Sequence, residues 1–482
     1  QWRKQQMSDL MKSMDIQVGD CLFQQEAALR STMPFLYLDP GLERKSKRNV
    51  LTSGAASTYM FTSFELSDDN GILLGLNRHN NSLCIVDPFN TKVNKNANFT
   101  ICGTSGAGKT FTMQVMALRL RMRGVQCYII APLKGHEFKR ACHKIGGTYI
   151  KLAPGSSACI NVMEIRPTLT PEMELIDELD YNDIDSMLAK KIQQLMIFFS
   201  LLIPDMNNEE EQMLDEALVK TYAKFGITHD NNSIYVDQSR GEIKTMPILG
   251  DLYDCLRKQK EPQAQRIATA LEIYVNGSLK VFNHQTNVEL NNRIVCFDIK
   301  ELGKQLKKLG MLIIQDQVWN RVTVNRGVKS TWYYIDEFHL LLKEEQTASY
   351  SVEIFKRFRK WQGIPTGITQ NIKDLLASRE IENILDNSDF ILMLNQAAGD
   401  RQILAKQLNI SPYQLSYVTN SGEGEGLLFY GTTIIPFKDK FDKSLKLYSL
   451  MTTKPEEVEQ REKEGGGSLG RERTERKRES CQ

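Results

Sequence analysis

Short apolar runs alternate with amphipathic segments along much of the chain. NFTICG (98–103) is followed by the amphipathic stretch KTFTMQVMALRLRMRG (109–124), and VQCYIIAP (125–132) is followed by GHEFKRACHKI (135–145). Apolar runs of the same character return after residue 291 as NRIVCFDI, STWYYIDEF, IPTGITQ and DFILMLN. Apolar strands that alternate with amphipathic helices indicate an α/β fold with a mainly parallel sheet and helices on both faces.

The pattern changes between these two groups of strands. The segments DSMLAKKIQQLMIFFSLLI (185–203) and NNEEEQMLDEALVKTYAKFG (207–226) carry apolar residues at i, i+3 and i+4 spacing, which predicts long helices. Acidic residues at the start of the second segment and Gly226 at its end are typical of helix termini. We therefore predict an all-helical insertion that interrupts the sheet.

Polar turns and composition mark the remaining boundaries. NGILLGLNRHNNSLCIVDPF predicts a β-hairpin, GEGLLFYGTTIIPF a closing hairpin, and the charged, glycine-containing end a disordered tail. Because the chain starts at Gln1 in a helix-like segment, we expect a missing N-terminal part. The predicted division is an N-terminal remnant with the hairpin (1–95), a first core part (96–166), the insertion (167–290), a second core part (291–452) and the tail (453–482).

Composition narrows the possible functions only a little. The 482 residues are 41% hydrophobic and 25% charged with a net charge of +2, which fits a globular protein of two or three domains and neither requires nor excludes nucleic acid. The nine cysteines form no C-x-x-C pair, which predicts free thiols in a reducing cytosol. No apolar run approaches the ~20 residues of a membrane-spanning helix.

A glycine-rich turn joins the first strand to its helix. Residues 103–110, GTSGAGKT, match G-x-x-x-x-G-K-[ST] at every fixed position. In such a loop backbone N–H groups and the helix N-terminus face phosphates, the lysine binds the β- and γ-phosphates, and the hydroxyl binds Mg²⁺. The flanking strand and helix disfavour a chance turn. The predicted cofactors are ATP and Mg²⁺, with Thr110 as a metal ligand, and the predicted nucleotide-binding residues are Gly103, Thr104, Ser105, Gly106, Ala107, Gly108, Lys109, Thr110 and Phe111.

An acidic pair follows another apolar strand. WYYI (332–335) is succeeded by Asp336 and Glu337. A phosphate-binding loop needs such a second motif, in which the first acid holds Mg²⁺ and the second orients or deprotonates the attacking water. The alternative is a strand that ends in solvated acids. The presence of the loop favours the catalytic interpretation.

Five further positions are weaker candidates. Gln370 ends the strand IPTGITQ and would lie beside the γ-phosphate if its strand neighbours the loop strand, or it is a plain strand cap. Arg357 and Arg359 could be presented to a neighbouring subunit's phosphate, although a solvated basic helix face is the favoured interpretation of either one alone, and Arg401 is another candidate. Glu137, after the second strand, lies near the expected site.

The order of the motifs resembles the HerA–FtsK group of ring-forming motor ATPases, whose sheet is RecA-like. Within this group the chain is most similar to the conjugation ATPases of type IV secretion systems, of the VirB/TraC type. The resemblance covers roughly residues 30–450. The runs that carry it flank the generic loop, and they are VLTSGAASTYMFTSFEL, NGILLGLNRHNNSLCIVDPF, NANFTICGTSGAGKTFT, YYIDEFHLLL, FKRFRKWQGIPTGITQN and GEGLLFYGTTIIPF.

The resemblance implies an ATPase that works as a nucleotide-dependent hexamer at the cytoplasmic face of the inner membrane. Its partners would be other type IV secretion components, with DNA contact left open. The implied catalytic residues are Lys109, Glu337, Gln370, Arg357 or Arg359, and Glu137, with Thr110 and Asp336 on the metal. One departure stands out, because relatives carry an acid–proline pair where this chain has Ala131 and Pro132. The family's N-terminal domain is expected to be largely absent.

Two alternative functions remain open at this stage. A DNA-translocating ATPase, such as a coupling protein or an FtsK/HerA-like pump, would use the same core chemistry. A scaffold that binds ATP only to assemble would keep Lys109 and Glu337 without turnover. DNA-stimulated turnover would favour the first alternative, and nucleotide binding without turnover would favour the second.

Overall fold

The computed structural model describes most of the chain. The described residues are 2–13, 18–47, 49–57, 64–94, 97–166, 186–237, 241–277, 279–341, 345–358, 361–370, 388–408, 410–419, 421–431, 433–454 and 456–458. They fall into two compact units, Gln1–Phe64 and Glu65–Gln482. The smaller unit contains four helices, α1 (Trp2–Ser13), α2 (Gln25–Thr32), α3 (Pro40–Ser46) and α4 (Thr52–Ser57).

A twelve-stranded sheet forms the centre of the larger unit. Its order is β1-β3-β2-β14-β13-β12-β4-β11-β10-β5-β9-β6, and β7 and β8 form a separate ribbon. The strands are β1 (Leu66–Ser67), β2 (Ile72–Asn77), β3 (Leu83–Val86), β4 (Phe99–Cys102), β5 (Gln126–Ala131), β6 (Thr148–Lys151), β7 (Tyr235–Asp237), β8 (Glu242–Ile243), β9 (Ile294–Asp298), β10 (Thr331–Ile335), β11 (Gly363–Thr369), β12 (Phe390–Met393), β13 (Glu425–Tyr430) and β14 (Thr433–Lys438).

Helices of the larger unit connect these strands or form the insertion. They are α5 (Lys109–Met122), α6 (Gly135–Lys144), α7 (Met187–Leu202), α8 (Asn208–Lys224), α9 (Leu249–Arg257), α10 (Pro262–Val275), α11 (Lys304–Asn325), α12 (Glu345–Phe358), α13 (Ala398–Gln407), α14 (Pro412–Ser416) and α15 (Lys446–Met451). Three 3₁₀ turns lie at Asn231–Ile234, Lys280–Phe282 and Phe338–Leu340. Of the helices that the structure describes, none combines the length and hydropathy that crossing a bilayer requires.

The seven strands from β12 to β6 pair in parallel. In six of them the strand is buried on both faces, as a parallel sheet between two helical layers requires, whereas the edge strand β6 ends in the exposed Lys151. In β10, Trp332 and Tyr334 pack into the core on the side of α5 and α6, while Tyr333 and Ile335 pack into the core on the side of α11 and α12. The predicted α/β class, with a mainly parallel sheet and helices on both faces, is confirmed.

Strand order decides which strand ends meet. β11 lies between β4 and β10, and β10 also pairs with β5. The register sets Cys102 beside Thr369, and Ile335 beside both Gly367 and Ile130. Because these strands are parallel, the segments that follow β4, β11, β10 and β5 all emerge at one edge of the sheet.

Antiparallel strands extend the sheet beyond β12. β13 pairs with β12 and β14, and β14 pairs with β2, which forms the predicted hairpin with β3. Both hairpins predicted from the sequence are therefore present. They carry the chain end of the core back to the neighbourhood of α5, where Arg119 donates to Asp439 at 2.8 and 3.2 Å.

The predicted insertion contains the four helices α7–α10. α8 begins with a capping box in which Asn207 accepts from Glu210 N–H and Glu210 accepts from Asn207 N–H, an arrangement that satisfies two backbone donors. The insertion is not entirely helical, because β7 and β8 form a short antiparallel ribbon. Gly241, which precedes β8, has φ of +64°, a backbone region that favours glycine.

Several predictions fall on residues outside the described ranges. They are Arg359, the first residues of the predicted insertion (167–185), and most of the predicted tail (459–482). The five-part division of the chain stays a prediction.

Candidate nucleotide-binding site

The glycine-rich loop connects β4 to α5 and depends on its glycines for different reasons. Gly106 and Gly108 have φ of +80° and +94°, a backbone region that side chains with a Cβ rarely adopt. At Gly103 the limit is space, since a Cβ would lie 3.0 Å from Leu394 Cβ. The loop is also tied to the segment directly after β12, because Thr104 N–H donates to the Asn395 carbonyl at 2.8 Å.

Lys109 folds back over this loop. Its Nζ donates to the carbonyls of Gly103 (2.7 Å) and Thr104 (2.8 Å). Burial lowers the pKa of Lys109 to about 8, against the opposing attraction of Glu337 and Asp336. An ammonium held only by carbonyl dipoles in a largely buried position gains much from an anionic partner. The loop residues therefore fit a phosphate group.

The predicted acidic pair lies buried at the end of β10. Asp336 N–H continues the sheet by donating to the Ile130 carbonyl at 3.0 Å, and Glu337 N–H donates to Asp336 Oδ1 at 3.0 Å. Burial, and then the charge of Glu337, raise the pKa of Asp336 to about 7. A bound divalent cation would offset both the burial of the Asp336 carboxylate and its repulsion by Glu337, so the pair fits a metal ion such as Mg²⁺.

Glu337 has a left-handed backbone, with φ of +50° and ψ of +45°. This conformation costs free energy for a residue with a Cβ and is concentrated at functional sites. It separates the direction of the Glu337 side chain from that of Asp336. The next residue, Phe338, packs its ring over Gly367 of β11, where a Cβ would lie 2.7 Å from the ring.

Gln370 and His339 both contact Glu337. Gln370 Nε2 donates to Glu337 Oε1, and His339 Nδ1 lies 3.5 Å from Glu337 Oε2. The contact with Gln370 depends on strand order, because β11 ends directly beside β10 and β4. His339 was missed at the sequence level. Its only signal was its place two residues after the acidic pair.

A cavity of about 650 Å³ brings most of the predicted residues together. Three residues of the predicted loop do not line the cavity, namely Gly103, Thr104 and Ala107. Ala107 is buried, and the carbonyls of Gly103 and Thr104 accept hydrogen bonds from Lys109. The predicted residues that line the cavity are Ser105, Gly106, Gly108, Lys109, Thr110, Phe111, Glu137, Asp336, Glu337 and Gln370.

Helix α6 contributes two further charged side chains to the cavity wall. Burial raises the pKa of Glu137, and Glu137 Oε2 has no hydrogen-bond partner in the described part of the chain. Lys134, just before the helix, also lines the cavity, and its charge acts on Lys109, Asp336 and Glu137. Sequence reasoning missed Lys134, although it follows the second strand closely.

Two of the arginine candidates, Arg357 and Arg401, do not line the cavity. Arg357 is exposed on α12 and pairs with Glu353 one turn earlier, and Arg401 donates to the Gln396 carbonyl. Among the residues that the structure describes, no arginine lines the cavity. An arginine that acts from a neighbouring subunit stays a prediction.

The C-terminal part of the core forms the remaining wall of the cavity. The turn before β13 (422–425), the segment after β14 (438–441) and the end of α15 with the residues that follow it (448–454) all contribute. Gly424 and Glu425 begin the run GEGLLFYGTTIIPF that carried the resemblance, but nothing in the sequence indicated that this part of the chain borders the loop. Their position follows from the antiparallel pairing of β13, β14 and β2.

Comparison with known proteins agrees with this geometry. The family model for the TraG P-loop domain matches residues 75–405, which is more than half of the chain. The structure of VirB4 from Thermoanaerobacter pseudethanolicus is 28% identical, with a TM-score of 0.68 over 80% of this chain and 100% of that chain. A search of curated proteins gave no match.

More distant similarity extends to the plasmid coupling protein TrwB. Its complex with ADP and Mg²⁺ is 14% identical, with a TM-score of 0.45 over 73% of this chain and 87% of that chain. Its complex with the ATP analogue ADPNP is 13% identical, with a TM-score of 0.47 over 83% and 95%. Both scores are too low to support an inference.

The family match and the VirB4 similarity together confirm the resemblance drawn from the motifs. They also confirm the P-loop NTPase fold. The chain belongs to the TraG P-loop family, as a conjugative type IV secretion ATPase of the VirB4/TraG type.

Proposed function

We propose that this chain is the ATP-hydrolysing motor of a conjugative type IV secretion system, energising assembly of the channel, transfer of DNA and protein substrates, or both. One observation carries the proposal. Lys109, Asp336, Glu337 and Gln370 come from three separate strand ends and line one cavity. This set contains a phosphate-binding cation, a metal ligand, a water-orienting acid and a polar contact to that acid.

Binding begins with Lys109. Its Nζ would exchange the carbonyls of Gly103 and Thr104 for phosphate oxygens, while the N–H groups of the loop and of the first turn of α5 face the same anion. Thr110 and Asp336 are the residues that would hold Mg²⁺, which neutralises phosphate charge when bound. The deprotonated form of Asp336 is the one required for that ligation.

Glu337 is placed to orient the attacking water and accept its proton. Its buried carboxylate is held by Gln370 and lies near His339, so the side chain is preorganised for this task. Gln370 ends the strand between β4 and β10. It would report loss of the γ-phosphate to Glu337 and to the following segment.

Assembly is the second part of the proposal. No arginine lines the cavity in the described residues, which supports a neighbouring subunit as the donor of the positive charge that phosphoryl transfer needs. We propose a nucleotide-dependent ring of this chain, a hexamer, that works at the cytoplasmic face of the membrane with other secretion components. Mass measurement with and without MgATP tests the ring, and an unchanged monomer mass would contradict it.

Turnover of ATP tests the site directly. We expect Lys109→Ala and Glu337→Gln each to abolish most turnover, the first through lost phosphate binding and the second with binding retained. Lys220→Ala is a suitable control, because Lys220 is an exposed residue of α8 that pairs only with Glu216 one turn away. Undiminished turnover in both site variants would refute the site assignment. Strong stimulation by double-stranded DNA would favour the DNA-translocating alternative.

A further inference from the structure

Three aromatic rings line the cavity in addition to the residues of the phosphate and metal site. They are Phe111 in the first turn of α5, Phe441 after β14, and Tyr448 on α15. The ring centroids of Phe111 and Phe441 are 5.8 Å apart, and those of Phe111 and Tyr448 are 5.3 Å apart. Each of the three side chains is partly exposed. Nothing in the phosphate chemistry described above uses them.

A partly buried ion pair fixes this group against the phosphate-binding helix. Arg119 of α5 donates through both terminal nitrogens to Asp439 at 2.8 and 3.2 Å, with both side chains less than a fifth exposed. Paired N–H···O contacts of this kind restrict orientation as well as distance. Phe441 follows Asp439 by two residues, so the ion pair places its ring beside Phe111.

Tyr448 is held from its other end. Its hydroxyl donates to Glu457 Oε1 at 3.2 Å, and Thr452 Oγ1 donates to Glu457 Oε2 at 2.5 Å. Lys443 Nζ lies 3.6 Å from Glu457 and 5.7 Å from the centre of the Tyr448 ring. The hydroxyl contact and the Lys443 cation over the ring face therefore orient Tyr448, which also lines the cavity.

The packing of the rings is one-sided. Phe111 and Phe441 pack against the buried side chains Val115, Ala141 and Met451, yet both also line the cavity. A cluster that served only to fill the core would have no reason to leave ring surface there, since each exposed apolar area costs free energy. An open aromatic surface near a phosphate-binding loop is the surface on which a flat heteroaromatic ring stacks.

We propose that Phe111, Phe441 and Tyr448 form the subsite for the purine base of the bound nucleoside triphosphate. This inference rests on the proposed function and adds the group that distinguishes ATP from phosphate chains without a base. The triphosphate lies on the glycine-rich loop, and the base lies beyond Thr110 against the aromatic group. Two of its three rings come from the C-terminal wall, so the base also contacts the segment that follows β14.

Calorimetric binding of two ligands tests the subsite without depending on hydrolysis. MgATP and magnesium tripolyphosphate share the phosphate chain, but only MgATP carries a base. We expect the full chain to bind MgATP about 5- to 100-fold more tightly, from the usual strength of base stacking on aromatic side chains. Phe441→Leu should remove most of this difference by weakening MgATP alone. Phe441→Tyr keeps the ring and should restore the preference.

A matched control separates the subsite from general damage to the cluster. Leu447 packs on the same buried residues and does not line the cavity, so Leu447→Ala should leave the ratio of the two affinities unchanged. Equal binding of both ligands by the unaltered chain, or equal weakening of both by Phe441→Leu, would overturn the inference. The first of these comparisons needs no variant and remains decisive if Phe441→Leu fails to fold.

The outcome is separable from that of the proposed function. A chain that prefers MgATP through the rings but shows no turnover would keep the subsite and refute the motor. A chain that hydrolyses ATP with no preference over tripolyphosphate in binding would keep the motor and refute the subsite. Binding of neither ligand would refute both.

Discussion

Replacing Lys191 by methionine would leave a carboxylate buried without its partner. Lys191 lies on α7 of the insertion, and its Nζ is 3.0 Å from Asp316 Oδ2 on α11 of the core. Only 7% and 9% of the two side chains are exposed. Asp316 Oδ1 has no hydrogen-bond partner within the described residues. Lys191 is therefore the partner that offsets the buried negative charge of Asp316.

The size of the effect follows from two opposing contributions. At this separation and an effective dielectric constant near 20, the attraction is about 5 to 6 kcal/mol. Removal of the two ions from water costs several kcal/mol for each ion, so the intact pair has a small net value. Removing one partner leaves the other ion with the full free-energy cost of its burial. We therefore expect Lys191→Met to destabilise the protein by about 3–5 kcal/mol, whereas Lys191→Met combined with Asp316→Leu should recover most of the loss.

Urea denaturation of the nucleotide-free chain, followed by tryptophan fluorescence and far-UV circular dichroism, measures this difference. Lys220→Met is the matched control, because Lys220 pairs with Glu216 at 3.2 Å while 58% and 47% of the two side chains are exposed. Breaking that exposed pair should cost at most about 0.5 kcal/mol. If Lys191→Met shifts the midpoint no more than Lys220→Met does, or if the double variant is no better than the single one, the reasoning is wrong.

Two further predictions concern the edge of the sheet at the acidic pair. Gly367→Ala should displace the Phe338 ring, which a Cβ would approach to 2.7 Å, and so lower kcat by at least about tenfold through misplacement of Glu337; an unchanged kcat in a folded variant would contradict this. Asp336→Asn should raise the melting temperature of the nucleotide-free chain, because burial raises the pKa of Asp336 from 3.8 to about 7. For an acid with a raised pKa, stability falls as pH rises from about 4 to about 7, by on the order of 4 kcal/mol in total. The advantage of the asparagine variant in thermal scans should grow over that range and then level off, and an advantage that is the same at pH 4 and pH 8 would argue against the mechanism.

Local chemistry in the sequence was sufficient for much of this site. The loop at 103–110 is recognisable because its glycines, lysine and threonine are contiguous, and their backbone requirements are met within a few residues. Asp336 and Glu337 are recognisable because an apolar run ends directly before them. Side-chain periodicity also separated the buried strands from the insertion, since burial on both faces and burial on one helical face leave different patterns.

Other features depend on contacts between distant parts of the chain. Glu337 meets Gln370 only because β11 pairs with both β4 and β10, and periodicity does not specify which strands become neighbours. The aromatic group requires Phe111 to meet Phe441, 330 residues further on, through an ion pair between Arg119 and Asp439. Arg357 illustrates the same limit, because its basic character was evident but its exposed pairing with Glu353 was not.

The sequence by itself determined the phosphate loop, the acidic pair, the α/β class and the family, because each depends on short-range backbone preferences or on runs of adjacent residues. The tertiary structure decided which residues surround the loop, since strand order and the packing of the C-terminal hairpin are set by contacts between segments hundreds of residues apart. Closing such contacts depends on the summed packing of the whole core, which no local pattern records.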